Sequence, residues 1–173
     1  QKEEVLRLRE DLGLDQNQFI VVGAGQVQKR KGIDDFIRLA EELPQITFIW
    51  AGGFSFGGMT DGYEKYKKMM ENPPKNLLFP GIVTPERMRE LYSLADIFLL
   101  PSYNELFPMT ILEAASCDAP IMLRDLDLYK VILEGNYHAT ADKDEMKQSI
   151  LEYQKNPDSL KELKEKAKKI SRE

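Results

Sequence analysis

The sequence has 173 residues, 42% of them apolar and 31% charged, which suits one domain of ordinary size whose core needs no disulfide or metal. A second full domain would not fit. The formal net charge of −5 argues against a general nucleic-acid-binding protein, because such a protein presents a basic face to phosphates.

The cysteine content and the apolar runs indicate the compartment. Cys117 is the only cysteine, so an internal disulfide is excluded and a reducing compartment such as the cytosol is indicated. No apolar run approaches the roughly 20 residues that span a bilayer, and residues 1–4 are not a signal peptide. We therefore expect a soluble, cytoplasmic protein. Because the chain begins directly on a charged helix, we also expect it to be a piece of a longer protein.

Apolar runs alternate with amphipathic segments along the chain, which is typical of βαβ units. An opening helix is predicted over residues 3–14. Strands are predicted over residues 19–24, 47–51, 77–79, 97–100, 121–123 and 138–140. Further helices are predicted over residues 33–42, 62–70, 85–95, 109–116, 126–133, 143–155 and 158–170. We therefore expect an α/β protein with a Rossmann-like parallel sheet flanked by helices.

A basic, glycine-containing segment, GAGQVQKRKG at residues 23–32, lies between the first strand and the first helix that follows it. The free N–H groups and the dipole of a helix start favour an anion. The segment lacks the Gly-Lys-Ser/Thr of a Walker loop and the third glycine of a dinucleotide-binding fingerprint. Two interpretations stay open: a solvated basic turn, or a diphosphate cradle that uses Lys29, Arg30 and Lys31.

Two further loops follow predicted strands. Residues 52–58, GGFSFGG, need unusual backbone freedom, which fits a close backbone approach or mobile rim as well as it fits a plain flexible connection. Thr84 is a predicted N-cap with Pro85 at the first helical position, which places residues 81–83 in the preceding loop. The only histidine, His138, has no obvious Ser or Asp partner, so we expect a strand-edge residue. No Cys/His cluster suggests a metal site.

Glu105 and Glu113, separated by seven residues, are the most informative pair in the chain. Glu105 lies just past an apolar strand and Glu113 lies inside a helix, so both can face a crevice at the carboxyl edge of the sheet. Ionised carboxylates only accept hydrogen bonds, so such a pair can hold hydroxyl-rich molecules. Pro108 should start the helix and leave N–H groups of Met109 and Thr110 free for an anion. The alternative is a solvated face.

Four segments together carry a resemblance to a known family: VGAG…RKGI at residues 22–33, FIWAGG at 48–53, FPGIV…LY…ADIFLLPS at 79–102, and ELFPMTILEA at 105–114. They resemble the C-terminal, donor-binding half of retaining GT-B glycosyltransferases, from about residue 5 to the end. Within that family, the chain is most similar to bacterial enzymes that glucosylate diacylglycerol. The resemblance implies one half of a GT-B fold. Residues 1–173 would form a single nucleotide-sugar-binding domain, with the N-terminal acceptor domain outside the chain.

The resemblance also implies roles for individual residues. Glu113 would hold the ribose hydroxyls, Glu105 would contact the donor sugar, and Lys31 would bind phosphate. Arg30 would replace an arginine that is usual in the family where this chain has Gln26. The remaining residues expected to line the donor site are Gly25, Gly81, Ile82, Val83, Phe107, Pro108, Met109 and Thr110. Of these, Gly81 to Val83 would contact the base through the backbone, and Pro108 removes one N–H group.

The resemblance implies a UDP-glucose donor and glucosyl transfer, with retention, to diacylglycerol or a glycolipid, without cofactor or metal. Arg30, Lys31 and the helix start near Met109 would stabilise the charge on the leaving diphosphate, and Glu105 would orient the sugar. The expected partners are the chain's own N-terminal acceptor domain and a lipid at the inner membrane face, with no nucleic acid, and this chain alone should be inactive. A nucleotide-sugar epimerase of the same fold and a non-catalytic interaction module stay open as alternatives.

Overall fold

The computed structural model describes residues 2–54, 57–59, 61–106 and 109–171. The strands are β1 (Ile20–Ala24), β2 (Thr47–Ala51), β3 (Leu77–Gly81), β4 (Ile97–Leu100), β5 (Ile121–Arg124) and β6 (His138–Thr140). The α-helices are α1 (Lys2–Asp11), α2 (Ile33–Glu42), α3 (Tyr63–Glu71), α4 (Pro85–Leu94), α5 (Met109–Ser116), α6 (Asp127–Leu133), α7 (Lys143–Lys155) and α8 (Leu160–Ser171). None of these helices has the length and apolar character needed to cross a membrane.

The strands form one parallel sheet in the order β3-β2-β1-β4-β5-β6. The chain builds outward from β1 to β3 and then returns to the other side of β1 to add β4, β5 and β6. This reversal opens a crevice between the carboxyl ends of β1 and β4, which is where open α/β sheets bind ligands. The α/β class and the parallel Rossmann-like sheet predicted from the sequence are confirmed.

The core lies between the sheet and helices that cover it. All residues of β1, β2, β4 and β5 are buried, as expected for parallel strands that are covered on both faces. The rings of Phe36 and Trp50 pack edge to face, with centroids 5.0 Å apart. Gly23 makes room for them, because a Cβ atom at that position would lie 2.7 Å from the Trp50 ring.

Several element boundaries differ from the predictions for physical reasons. The predicted third strand stops before Pro80, whereas β3 continues to Gly81. Proline is tolerated there because β3 is an edge strand, with one side free of ladder hydrogen bonds. Gly81 therefore ends a strand and does not belong to the following loop. The predicted capping of α4 is confirmed, since Thr84 Oγ1 accepts a hydrogen bond from the Arg87 N–H at 3.2 Å.

Candidate functional site

The loop after β1, the end of β2 with its loop, and the last residue of β3 are joined to one another at the carboxyl edge of the sheet. Three backbone hydrogen bonds join them: Gly25 N–H to Ala51 O at 3.0 Å, Val27 N–H to Gly53 O at 3.0 Å, and Gly52 N–H to Gly81 O at 2.8 Å. Because each bond links one of these segments to its neighbour, the loops after β1 and β2 and the end of β3 form a continuous backbone wall on one side of the crevice.

Gly52 occupies a position in this wall that only glycine fits. Its φ is 139°, and a Cβ atom there would lie 1.9 Å from the carbonyl oxygen of Gly25. The Trp50 indole N–H donates to that same oxygen at 3.1 Å, so the loop is also held from the core side. The close backbone approach predicted for this glycine-rich loop is confirmed at Gly52, whereas Ser55 and Phe56 lie outside the described residues.

The basic segment after β1 forms a 3-10 turn over Lys29–Lys31 that ends at Gly32. Gly32 has a φ of 77°, and a Cβ atom there would lie 2.1 Å from the carbonyl oxygen of Pro101. The backbone N–H of Tyr103 donates to the carbonyl oxygen of Arg30 at 2.9 Å. The basic turn therefore packs directly against the loop that follows β4.

An ion pair connects the basic turn with that loop. Lys31 Nζ lies 2.7 Å from Glu105 Oε1, and the two side chains are only 15% and 4% exposed. The Ser102 hydroxyl donates to the same carboxylate oxygen at 2.8 Å. The interpretation of the basic segment as a solvated turn is therefore wrong for Lys31, although Lys29 and Arg30 are exposed.

The ion pair brings together Lys31, which the family resemblance assigns to phosphate, and Glu105, which it assigns to the donor sugar. Removing a carboxylate from water is unfavourable unless a cation and hydrogen bonds compensate, and Lys31 and Ser102 supply both to Glu105. A lysine ammonium has three N–H donors, and the contact with Glu105 uses one of them. The pair can therefore keep its geometry and still present donors to an anion in the crevice.

Arg124, at the carboxyl end of β5, donates hydrogen bonds to the start of the loop after β4. This buried guanidinium donates twice to the carbonyl oxygen of Pro101, from Nε at 3.1 Å and from Nη2 at 3.0 Å. It also forms an ion pair with Asp35, the carboxylate of which accepts a hydrogen bond from the Tyr103 hydroxyl at 2.8 Å. The guanidinium carbon lies 3.9 Å from the centroid of the Tyr103 ring, within cation–π range.

No role for Arg124 was predicted from the sequence. The available signal is an arginine directly after the apolar run of β5, since a charge at a buried strand end needs a partner. The sequence does not identify that partner, because Asp35 lies 89 residues away in the chain.

Glu113 lies on α5, and its side chain is exposed. The hydroxyl of Tyr92 donates to Glu113 Oε2 at 3.3 Å. Burial raises the pKa of Tyr92 well above its usual range, and the charge of Glu113 raises it further, so the hydroxyl stays protonated as a donor. Among the described residues, Glu113 makes no hydrogen bond or ion pair with Lys31 or Glu105, so the two carboxylates are separate acceptors.

The start of α5 agrees in part with the prediction. The helix begins at Met109, which is exposed, and Thr110 is half-buried in its first turn. The first N–H groups of a helix have no partner within the helix and are available to a ligand. Phe107 and Pro108, which the sequence analysis places in the same site, lie outside the described residues.

Other predicted site residues lie around the crevice with fewer contacts. Arg30 is exposed, and its Nη1 lies 3.4 Å from the carbonyl oxygen of Asn104. Ile82 is exposed and Val83 is half-buried in the short connection between β3 and α4. Gly25 and Gly81 take part in the backbone wall described above.

His138 lies on the edge strand β6, as predicted, but its ring has partners that the sequence does not reveal. Its Nδ1 lies 2.7 Å from the Tyr153 hydroxyl, and its Nε2 lies 3.1 Å from the Ser149 hydroxyl. The expectation of no serine partner is therefore wrong, since Ser149 is supplied by α7. Burial lowers the pKa of His138, which favours the neutral ring.

A cavity of about 300 Å³ lies beside His138, near the start of β6 and therefore away from the carboxyl edge. Its lining residues are Tyr137, His138, Ala139, Tyr153, Ser159, Glu162, Leu163 and Lys166. Within the described part of the chain, no group of three or more His, Cys, Asp or Glu side chains is placed to hold a metal ion.

Residues 5–170 match the sequence profile of the family described as Glycosyl transferases group 1. The chain belongs to this family. Most of the described crevice lies within the matched residues, including the basic turn, the Lys31–Glu105 ion pair and Glu113. The family resemblance inferred from the sequence motifs is confirmed.

Two relatives within this glycosyltransferase family carry names that describe glycolipid synthesis. The chain is 86% identical over 172 residues to an alpha-galactosylglucosyldiacylglycerol synthase of Streptococcus pneumoniae. The matched region covers 99% of this chain and 46% of that protein. The chain is also 37% identical over 128 residues to a processive diacylglycerol alpha-glucosyltransferase of Acholeplasma laidlawii, which covers 74% of this chain and 38% of that protein. The chain thus spans about half the length, or less, of these curated relatives.

Solved structures agree with the fold expected for this glycosyltransferase family. The HepE protein of Anabaena, crystallised in complex with UDP and glucose, superimposes with a TM-score of 0.84 at 21% sequence identity. The match covers 99% of this chain and 48% of HepE. A sucrose-phosphate synthase of Thermosynechococcus elongatus has a TM-score of 0.82 at 20% identity, with 96% of this chain and 44% of that one covered. The chain therefore has the architecture of one half of a GT-B fold.

Proposed function

We propose that this chain is the donor-binding domain of a glycosyltransferase and that it binds a nucleotide-diphosphate hexose in the crevice between β1 and β4. The observation that carries the proposal is the Lys31–Glu105 ion pair, a cation and a carboxylate held together at the carboxyl edge. A polyol diphosphate needs both kinds of group, donors for the phosphates and acceptors for the hydroxyls. The ion pair supplies both at one point.

The positions of the charged groups support one orientation of the ligand. Glu113 accepts the ribose hydroxyls, with one oxygen already oriented by Tyr92. The diphosphate lies between Glu113 and Glu105, next to Lys31 and the free N–H groups at the start of α5. The hexose lies at Glu105, and the base lies against the backbone wall near Gly81.

The proposed chemistry is transfer of the hexose with retention at its anomeric carbon. As the bond to the β-phosphate breaks, negative charge grows on the diphosphate, and the fixed cation of Lys31 and the exposed cation of Arg30 stabilise it. Glu105 orients the hexose and stabilises the positive charge that develops at the anomeric carbon. In this proposal Glu105 accepts hydrogen bonds from the hexose and does not act as a general base.

The names of the relatives support a more specific donor and acceptor. Both names describe an alpha-linked sugar and diacylglycerol. The sugar in UDP-glucose and UDP-galactose is also alpha-linked, to the diphosphate. An alpha-linked product therefore corresponds to retention at the anomeric carbon. The relative with 86% identity is named for a galactosyl group on glucosyldiacylglycerol. We therefore propose a UDP-hexose donor, with galactose favoured over the glucose expected from the sequence, and a glucosylated diacylglycerol as acceptor.

The test is turnover by the intact protein with hexose-labelled UDP-galactose or UDP-glucose and vesicles that contain diacylglycerol or glucosyldiacylglycerol. The proposal predicts a labelled glycolipid, and a chelator should leave the rate unchanged because Lys31 and Arg30 neutralise the diphosphate. An epimerised donor without any glycolipid would identify the protein as an epimerase. Absence of both turnover and nucleotide binding would identify an interaction module.

We also propose that the protein works at the cytoplasmic face of the membrane, because its acceptor is a lipid and its donor is water-soluble. Contact with the lipid belongs mainly to an acceptor domain outside this chain. Cosedimentation with acceptor-containing vesicles tests this assignment: the intact protein should sediment with them, and residues 1–173 alone should remain in the supernatant.

A further inference from the structure

Tyr103 connects the loop that carries Glu105 to three neighbouring segments of the fold. Its backbone N–H donates to the carbonyl oxygen of Arg30 at 2.9 Å, and its hydroxyl donates to Asp35 Oδ2 at 2.8 Å. Its ring packs on the guanidinium of Arg124, with 3.9 Å between the guanidinium carbon and the ring centroid. Tyr103 therefore contacts the basic turn, the first turn of α2 and the end of β5.

These contacts lie next to the carboxylate of Glu105 along the chain. Ser102, directly before Tyr103, is completely buried and donates to Glu105 Oε1 at 2.8 Å. A displacement of Tyr103 therefore moves the hydroxyl that orients this carboxylate. Tyr103 is itself 50% exposed, so its ring contributes less to the core than a fully buried aromatic side chain does. Its contacts hold the loop more than they fill the core.

The basic turn depends less on the Tyr103 side chain than the Glu105 loop does. The Lys31 N–H donates to the carbonyl oxygen of Gln28 at 3.0 Å, which closes the 3-10 turn on itself. The contact of Tyr103 with this turn uses the backbone N–H, which every substitution except proline retains. Removal of the side chain should therefore disturb the position of Glu105 and leave the turn that carries Lys31 in place.

We propose that Tyr103 is a positioning residue for Glu105. Its ring on Arg124 and its hydroxyl on Asp35 hold the loop so that the Glu105 carboxylate accepts hydrogen bonds from the donor hexose. The inference rests on the proposed function, and the Lys31–Glu105 ion pair stays in place in it. A group that binds substrate has to be held to within about 0.5 Å by the residues around it, and Tyr103 supplies part of that support.

The test is calorimetry on the intact protein with UDP, UDP-glucose and UDP-galactose. Tyr103→Leu removes both the ring and the hydroxyl. We expect its affinity for the preferred UDP-hexose to fall about tenfold, the effect of losing one hydrogen bond to a charged group. UDP affinity should change by less than about twofold, because UDP has no hexose for Glu105 to hold.

Two further variants separate the ring from the hydroxyl and supply a control. Tyr103→Phe keeps the ring on Arg124, so it should lose less UDP-hexose affinity than Tyr103→Leu, and it carries the same comparison if Tyr103→Leu fails to fold. Tyr66→Phe is the matched control, because the Tyr66 hydroxyl donates at 3.2 Å to Asp34, the neighbouring carboxylate on α2. It should leave both affinities unchanged.

Combination with Glu105→Gln distinguishes positioning from a structural role. If Tyr103 acts through Glu105, Tyr103→Leu should weaken UDP-hexose binding little further once Glu105 is replaced. Additive losses in the double variant would overturn the inference, as would equal losses of UDP and UDP-hexose affinity in Tyr103→Leu. Unchanged UDP-hexose affinity in Tyr103→Leu would also overturn it and leave the proposed function intact. If the unmodified protein bound neither UDP nor a UDP-hexose, the proposed function itself would be wrong.

Discussion

Lys31 Nζ lies 2.7 Å from Glu105 Oε1, although 74 residues separate the two side chains in the sequence. The contact joins the turn after β1 to the loop after β4, across the point where the strand order reverses. The cation that we propose binds phosphate and the carboxylate that we propose binds the sugar are thereby held as one unit. Preorganised charges of this kind act on a transition state without first having to reorient.

The ion pair predicts that stability and binding respond differently to substitution. Lys31→Ala leaves a nearly buried carboxylate without its cation, and we expect a loss of about 3 kcal/mol in the free energy of unfolding, near the lower limit for breaking a buried pair. UDP affinity should fall by about 1.5 to 3 kcal/mol, the range for a charged hydrogen bond. Denaturant unfolding and calorimetry measure the two effects.

The double variant Lys31→Ala with Glu105→Gln serves as the control for this prediction. It removes the unpaired charge as well as the cation, so most of the lost stability should return while UDP affinity stays low. Recovery of UDP affinity together with stability would show that Lys31 acts only through folding, which is contrary to the proposed role.

We expect the free energy of unfolding to depend strongly on the Arg124–Asp35 ion pair. Arg124→Met leaves Asp35 without its cation and Pro101 O without its donors, and we expect a loss of about 3 to 5 kcal/mol in the free energy of unfolding. Arg87→Met is the matched control, because the ion pair of Arg87 with Glu90 is exposed on α4 and should contribute less than about 1 kcal/mol. Equal losses in the two variants would contradict the assigned role of Arg124.

Two glycines with the same backbone angle allow strain and crowding to be separated. Gly32 and Gly135 have φ values of 77° and 78°, but only at Gly32 would a Cβ atom meet another residue, 2.1 Å from Pro101 O. Gly135→Ala should lower the free energy of unfolding by about 1 kcal/mol, from backbone strain alone. Gly32→Ala must also push the basic turn away from the loop after β4, so it should lose more stability and weaken UDP binding.

The half-buried His138 predicts a pH dependence of stability. Burial lowers its pKa in the folded chain below the ordinary value of 6.5, while the charges of Glu145 and Glu152 oppose this shift and that of Lys166 adds to it. Between the folded pKa and 6.5 the unfolded chain binds more protons, so the free energy of unfolding should fall as pH decreases from 7.5 to 5.5. His138→Gln should flatten this dependence, and an unchanged slope would contradict it.

Much of the fold follows from local sequence signals, whereas the ion pairs do not. The boundaries of α2, α5 and α7 agree with those predicted from the sequence, and the Asp142 side chain caps α7 by accepting from the Glu145 N–H. The contacts of Lys31 with Glu105 and of Arg124 with Asp35 depend on which strands become neighbours, so no local spacing identifies them. Edge position is also a tertiary property, which is why β3 continues through Pro80 to Gly81.

The candidate site was predictable in its composition but not in its internal bonding. The two glutamates and the basic turn are visible in the sequence because they follow apolar strands. The donors that orient them, Tyr92 for Glu113 and Ser102 for Glu105, become neighbours only through tertiary packing.

Calorimetry with UDP on the unmodified chain and on Glu113→Gln tests whether this crevice binds a nucleotide-diphosphate sugar. Glu165→Gln, an exposed substitution on α8, is the control. We expect UDP to bind the unmodified chain and the control equally. Affinity for Glu113→Gln should be about 10- to 100-fold lower, as expected when ribose hydroxyls lose a charged acceptor. Absence of UDP binding at millimolar concentration, or equal affinity in all three proteins, would contradict it.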